Sequence, residues 1–414
     1  MNAHAVLLIY LYLSNLFSVY DISNGFNPRV TAIRRKRLAS SISTRLSAVG
    51  SPKDAKSSKD EKSKDLLKNS KQVAKVPEKT LVPIPSSPSV EKSCDYLIFV
   101  VHGVGGTDKS LEKQLEHFRQ ALDMVKLNAF QPVACETRVE MINWKRTVAS
   151  EQERILAKLK PESKGEVSNL RDTVNSVASD IMYYMAPNKR DALLEDMSSQ
   201  INSVYDKLVR QNPKKFGNAR VAIVGYSLGS MIVYDMLSGQ PDIVLDGREG
   251  ASAKSSNYPG QILNFKVSWL FLWGSPLSAY IALTSPGPAK LDLAYRLRSY
   301  FNIYHPLDPV AFRQEPLYYG EAAPSKPAVQ LPHWFREDQD HVKALTAAEE
   351  DKDHPRLDYV LQSSSGGGMG ALMAMMAMYH AHGVYWDNKD LALFILHKLT
   401  GYTPVANSKT KGKH

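Results

Sequence analysis

The sequence is poor in cysteine: Cys94 and Cys135 are the only two in 414 residues. Neither belongs to a Cys-x-x-Cys pair, so zinc-ribbon and dithiol redox motifs are excluded, and two thiols do not make a disulfide framework in so long a chain. There is no internal repeat, which excludes a solenoid or propeller. The longest apolar run, Ala5–Tyr20, is shorter than the ~20 residues that span a bilayer comfortably. Positive charge is also missing where a nucleic-acid reader would need it. The formal net charge is +10, but residues 1–92 hold 16 Lys and Arg against 7 Asp and Glu, and the tail 405–414 adds Lys409, Lys411 and Lys413. Residues 93–404 are left at −2, with no basic stripe for a nucleic acid. The basic ends would favour an anionic membrane surface instead.

The ends read as appendages. Ala5–Tyr20 suits the hydrophobic segment of a signal peptide over residues 1–25, although no positive residue precedes it. Residues 26–50 carry Arg29, Arg34, Arg35, Lys36, Arg37 and Arg45 among serines, and no acid occurs between Ile22 and Lys53, the composition of a transit segment. Together these resemble the bipartite leaders of proteins sent to secondary plastids. Phe26 fits that resemblance, and Asn24-Gly25 departs from an Ala-x-Ala cleavage site. The second reading is a signal anchor on an endomembrane such as the endoplasmic reticulum. Charge lying only after the apolar run would leave the body cytosolic. Residues 51–92, rich in Lys, Ser, Asp and Pro, read as a disordered linker, and 405–414 as a disordered basic tail. The folded domain is expected over 93–404. Its hydrophobic content (43% for the chain) and charge (23%) are those of a protein that buries a core.

Within that domain apolar strand runs alternate with helical patterns. Strands are expected at Tyr96–Val101, Val139–Trp144, Arg220–Gly225, Phe265–Trp273 and Tyr300–Tyr304. Helices are expected at Ser110–Leu127, Leu170–Met185, Lys189–Arg210, Ser230–Ser238 and Lys389–Leu399. The alternation predicts an α/β fold with a mostly parallel sheet flanked by helices, and a ligand site beyond the carboxyl ends of the strands. Asp338, Asp340, Glu349, Glu350 and Asp351 predict a solvated loop. The glycines at 366–368 and 370, followed by a Met-rich apolar stretch to Tyr379, predict either a hinged lid or a core helix.

One motif points to chemistry. Residues 225–229 read Gly-Tyr-Ser-Leu-Gly, with a strand run before and a helix-compatible run after. Strand, Gly-x-Ser-x-Gly, helix is the nucleophile elbow of α/β-hydrolases, in which a tight turn around Ser227 requires small flanking residues. The first strand ends in His102-Gly-Val-Gly-Gly, similar to the oxyanion loop of lipases. Backbone N–H groups of Gly103, Val104, Gly105 and Leu228 are the candidates to hold an oxyanion there. The acid should follow a later strand. Asp308, in a loop stiffened by Pro306 and Pro309, is the first candidate, and Asp358 the competitor, in a strand-like segment and equally readable as an ion pair with an arginine. The base should come last in the chain. His382 leads, His380 is its nearest rival, and His333, His341, His354, His397 and His414 are the others.

Several segments together resemble the DDHD-domain family, the intracellular phospholipase A1 type enzymes. They are Val100-Val-His-Gly-Val-Gly, Arg171-Asp-Thr-Val-Asn with Asp180 and Tyr183-Tyr184, Asn202-Ser-Val-Tyr, the 225–229 motif with Ser230, Trp273-Gly-Ser-Pro-Leu, Asn302-Ile-Tyr-His-Pro-Leu-Asp-Pro-Val-Ala-Phe-Arg, Arg356-Leu-Asp-Tyr-Val-Leu-Gln, and His382-Gly-Val-Tyr-Trp with Asp390. The order holds over about residues 93–400. The resemblance implies Ser227 as nucleophile, Asp308 as acid and His382 as base. It maps the four name-giving residues to Asp308, Asp358, His382 and Asp390, a set also readable as a metal site, although a triad pair is ill suited to serve as ligands as well. One departure is Tyr226, where the family usually has histidine.

The function so implied is a serine lipase, phospholipase A1-like, cleaving acyl esters of membrane glycerophospholipids through an acyl-enzyme, with no cofactor. A galactolipid or acylglycerol lipase is the nearest alternative. A catalytically silent membrane-trafficking adaptor is the alternative of another class, against which an intact Ser227, Asp308 and His382 stand. The oligomeric state is not legible.

Overall fold

The computed structural model describes residues 95–403 apart from 132, 134, 160–165, 248–259, 286–288, 321–325, 336–338, 351–354, 364–376 and 379. The expected leader, basic segment, linker and tail, and the glycine run with most of the Met-rich stretch, lie outside the described residues.

Seven strands form one sheet: β1 Tyr96–Val101, β2 Thr137–Ile142, β3 Arg220–Tyr226, β4 Val267–Trp273, β5 Tyr300–Tyr304, β6 Val329–Gln330 and β7 Asp358–Val360. Their order is β2-β1-β3-β4-β5-β7-β6 and every pairing is parallel. The principal helices are α1 Asp108–Ala129, α2 Lys145–Leu156, α3 Glu166–Met185, α4 Pro187–Gln211, α5 Leu228–Ser238, α6 Leu277–Thr284, α7 Gln339–Glu350 and α8 Lys389–Thr400. This is the fold of the α/β-hydrolases, as the alternation of elements predicts. Among the described residues no helix is long and apolar enough to cross a membrane.

The strands read as unbroken apolar runs because both faces of the sheet are covered. Successive side chains of β1 leave for opposite faces. Leu97, Phe99 and Val101 join one core with Leu193, Met197 and Ile201 of α4 and Ile232 and Met236 of α5. Ile98 and Val100 join the other with Phe118, Leu122 and Val125 of α1 and Leu391, Phe394 and Ile395 of α8.

Several expectations shift. The second strand lies two residues earlier than expected, and Trp144 falls at the start of α2, a helix the apolar pattern did not reveal because only Val148 and Gln152 of it are buried. The acidic segment around Asp340 is no loop but helix α7. Helical backbone tolerates a charged face, and Leu345 supplies its buried anchor.

Candidate active site

Register brings the site together. Val101 pairs with Gly225, Tyr226 with Trp273, and Trp273 with Ile303, so the loops leaving the carboxyl ends of β1, β3, β4 and β5 lie side by side. The loop after β3 holds Ser227 at φ 53, ψ −123, the one non-glycine positive φ among the described residues. Such a conformation costs about 1–3 kcal/mol and persists only where its surroundings enforce it. Here its N–H donates to Trp273 O at 3.0 Å, and its carbonyl accepts the Ser230 N–H at 3.0 Å and the Ser230 hydroxyl at 2.5 Å. The flanking glycines are required by contact. A Cβ at Gly225 would stand 2.6 Å from Ser230 Cα, and one at Gly229 2.2 Å from Val101 O.

Ser227, His382 and Asp308 are brought into one hydrogen-bonded line. Ser227 Oγ is 3.1 Å from His382 Nε2, and His382 Nδ1 is 3.0 Å from both carboxylate oxygens of Asp308. A carboxylate only accepts, so Nδ1 carries the proton and Nε2 is free to accept from the serine. His382 stands in a helical segment, 380–383, that runs into the 3₁₀ turn Val384–Trp386. Asp308 is buried and also accepts the Tyr385 hydroxyl at 2.5 Å and the Val310 N–H at 2.9 Å. Burial works to raise its carboxyl. The adjacent His382, the Tyr385 hydroxyl and the Val310 N–H outweigh that and hold it below the ordinary carboxylate value. Tyr385 in turn is pushed well above the usual phenol range by burial and by the Asp308 charge, so it stays a donor.

The β1 loop lies against the serine: a Cβ on Gly103 would come 2.8 Å from Ser227 Cβ. Leu228 heads α5, where first-turn N–H groups have no helical partner. Gly105, in the loop expected to serve the oxyanion, gives its own N–H to Asp180 Oδ2 at 2.9 Å. Asp180, wholly buried, also takes Lys145 Nζ at 2.9 Å and Gln152 Nε2 at 3.1 Å, and so braces the loop from α3.

The other name-giving residues stand apart from this line. Asp358 accepts from Asn302 Nδ2 (2.9 Å), Gln314 N (2.8 Å), Glu315 N (3.2 Å) and Arg313 Nε (3.1 Å). Its ion pair is with Arg313, while neighbouring Arg356 pairs with Glu315 at 2.9 Å. Burial pushes the Asp358 carboxyl up, against the pull of Asn302 and Gln314. Asp390 accepts the Trp334 N–H at 2.9 Å and meets His333 Nδ1 at 3.1 Å. Asp308 with His382, Asp358 and Asp390, the set also readable as a metal site, lie in three separate networks. Among the described residues no group of three or more His, Cys, Asp or Glu is placed to hold an ion. Of the rival bases, His333 is engaged with Asp390, His397 is buried against Tyr402 O, and His380 is exposed beside His305. His341, His354 and His414 have no described side chain.

Three contributors have contacts that the sequence did not assign to them. Tyr385 holds the acid. Tyr226 stacks on His382, with centroids 5.1 Å apart, and donates to its carbonyl. Gly274, at φ +55, leaves room for Asp308 and His382: a Cβ there would come 2.8 Å from Asp308 Oδ2 and 3.2 Å from His382 Cε1. Only the motifs around Tyr385 and Gly274 marked them.

Residues 263–352 match the family described as the DDHD domain. The chain is 27% identical over 293 residues to human phospholipase DDHD1, covering 58% of this chain and 31% of that one. It is 28% identical over 270 residues to the intracellular phospholipase A1 of Caenorhabditis elegans, covering 55% and 31%. The chain thus spans about a third of the length of these relatives. A solved acetylxylan esterase overlays 74% of this chain and all of its own at 12% identity and a TM-score of 0.27, a likeness too slight to add to what the strand order gives. The resemblance read from the motifs is borne out by the DDHD-domain match over residues 263–352 and by the similarity to these phospholipases.

Proposed function

We propose that this chain is a serine hydrolase that cleaves acyl esters of glycerophospholipids, phospholipase A1-like, with Ser227 as nucleophile, His382 as base and Asp308 as acid. The observation that carries the reading is the line Ser227 Oγ–His382 Nε2–Nδ1–Asp308, at 3.1 and 3.0 Å, built on a positive-φ serine. His382 takes the hydroxyl proton as Ser227 attacks the ester carbonyl, and Asp308 steadies the imidazolium that forms. The alcohol leaves with that proton, and water on His382 then releases the fatty acid. N–H groups of Val104 and Leu228 hold the developing oxyanion, each worth about 3–4 kcal/mol of barrier. The phospholipid substrate is supported by the names of the relatives and by basic ends suited to an anionic membrane surface.

The test is acyl release by the full chain from phosphatidylcholine and phosphatidic acid vesicles, beside Ser227→Ala and fluorophosphonate labelling. Release and labelling lost together in the variant are expected. Release that survives Ser227→Ala overturns the triad, and release confined to galactolipid or triacylglycerol overturns the substrate.

A further inference from the structure

The loop after β1 is pinned from the β2 side. Trp144 Nε1 donates to His102 O at 2.9 Å, Asp180 takes the Gly105 N–H, and His102 Nδ1 lies 2.7 Å from Gly103 O. Both ring nitrogens face oxygens that can only accept, Gly103 O at 2.7 Å and Asn143 Oδ1 at 3.0 Å, and the shorter contact assigns the donated hydrogen to Nδ1. The ring cannot swing. It is 1% exposed and lies flat on Trp144, with centroids 5.3 Å apart and planes 16° apart. Its Nε2 faces Asn143 Oδ1 at 3.0 Å. Asn143 is fixed in turn, with Nδ2 donating to Asp108 at 2.8 Å and Oδ1 accepting the Lys145 N–H at 3.1 Å. Burial lowers the His102 pKa, against the Gly103 O and Asn143 contacts, which raise it.

The Gly103–Val104 peptide is planar and trans, so its C=O and N–H point in opposite directions. Gly103 O faces His102. The Val104 N–H is therefore turned away from that ring, and Gly103 itself packs on Ser227.

We propose that His102 is a positioning residue for acyl transfer: its bond to Gly103 O fixes the rotation of the Gly103–Val104 peptide and aims the Val104 N–H at the oxygen that becomes negative. This rests on the serine-hydrolase reading above. His102 exchanges no proton with substrate. It acts through the peptide, and because the oxyanion exists only once attack begins, its loss lowers kcat and leaves KM in place.

His102→Phe keeps a flat ring against Trp144 and has no donor. His102→Asn sets an amide N–H near the place of Nδ1–H. The full chain, both variants and Ser227→Ala are assayed on a soluble p-nitrophenyl ester, with thermal unfolding followed alongside. Expected is a kcat about 30–100-fold down in His102→Phe with KM within about twofold, and recovery to at least about a third of wild type in His102→Asn. A His102→Phe kcat within about threefold of wild type overturns the proposal and leaves the Ser227 reading standing. Equal losses in the two variants also overturn it, since packing alone would explain them. If His102→Phe does not fold, a folded His102→Asn that has lost more than about tenfold in kcat is decisive against it. Turnover that survives Ser227→Ala, or a wild type that releases nothing, removes the hydrolase reading and the proposal with it.

Discussion

The phenol of Tyr226 lies along the imidazole of His382, centroids 5.1 Å apart at 28°, and its hydroxyl donates to the His382 carbonyl at 2.6 Å. The residue before Ser227 thus holds His382 across 156 positions of chain. Trp386 closes edge-on over the same phenol at 5.1 Å. A ring at 226 is what this packing requires, and the hydroxyl adds a tie that a histidine there would have to make differently.

Tyr226→Phe keeps the ring and loses one hydrogen bond of about 1 kcal/mol, so kcat should drop only a few-fold. Tyr226→Ala frees the imidazole, and kcat should drop about 10²-fold. Steady-state kinetics on one ester decide, and equal losses in the two variants would show that the stack contributes nothing.

Gly274→Ala should be nearly silent in folding and severe in activity. A left-handed φ costs an alanine about 1–2 kcal/mol. Its Cβ would stand 2.8 Å from Asp308 Oδ2, 3.0 Å from Tyr385 Cε2 and 3.2 Å from His382 Cε1. A displacement of about 1 Å costs roughly 10²-fold in rate. A fluorophosphonate labelling rate equal to wild type would contradict this.

The acid-unfolding profile should report on Asp308. Its folded pKa lies below the ordinary value of 3.8, so on acidification the unfolded chain takes up the proton first. The ionised carboxylate therefore stabilises the fold above that value, and the contribution is lost as pH falls through the folded pKa. Tyr385→Phe removes one bond that keeps the pKa low, so the contribution should be smaller and its loss complete at higher pH. In Asp308→Asn that contribution should be missing. Identical acid transitions in wild type and both variants would refute the assignment.

Asp358→Ala should act on stability. It leaves the Arg313 charge and the N–H groups of Gln314 and Glu315 without their acceptor, a loss of about 3–5 kcal/mol. The molecules that remain folded should turn over normally. Denaturant midpoints and kcat per labelled Ser227 separate the two effects, and a normal midpoint with lost kcat would place Asp358 in the chemistry instead.

Much of this site was legible because its residues are set by local rules. The elbow needs small residues two positions either side of the serine, and 225–229 supplies them. The strand runs needed apolar residues on both faces, and five of seven strands were found that way. Of the other two, β6 is two residues long and too short to show a period, while β7 falls in the strand-like segment around Asp358. Helix α7 was hidden by its charges. The Asp358 pairing went to Arg313, distant in the chain, because β7 lies beside β5 and meets the segment that follows it.

The sequence by itself determined the sheet, the elbow at Ser227 and the short list of acids and bases, since each follows from spacing along a strand, a turn or a motif. Only the tertiary structure decided which histidine faces the serine, that the Gly105 N–H is taken by Asp180, and that Tyr226 and Tyr385 hold His382 and Asp308. Those are relations between residues dozens to more than a hundred positions apart. They are set by strand order and register, and no local pattern encodes the distance between two loops that meet only when the sheet is built.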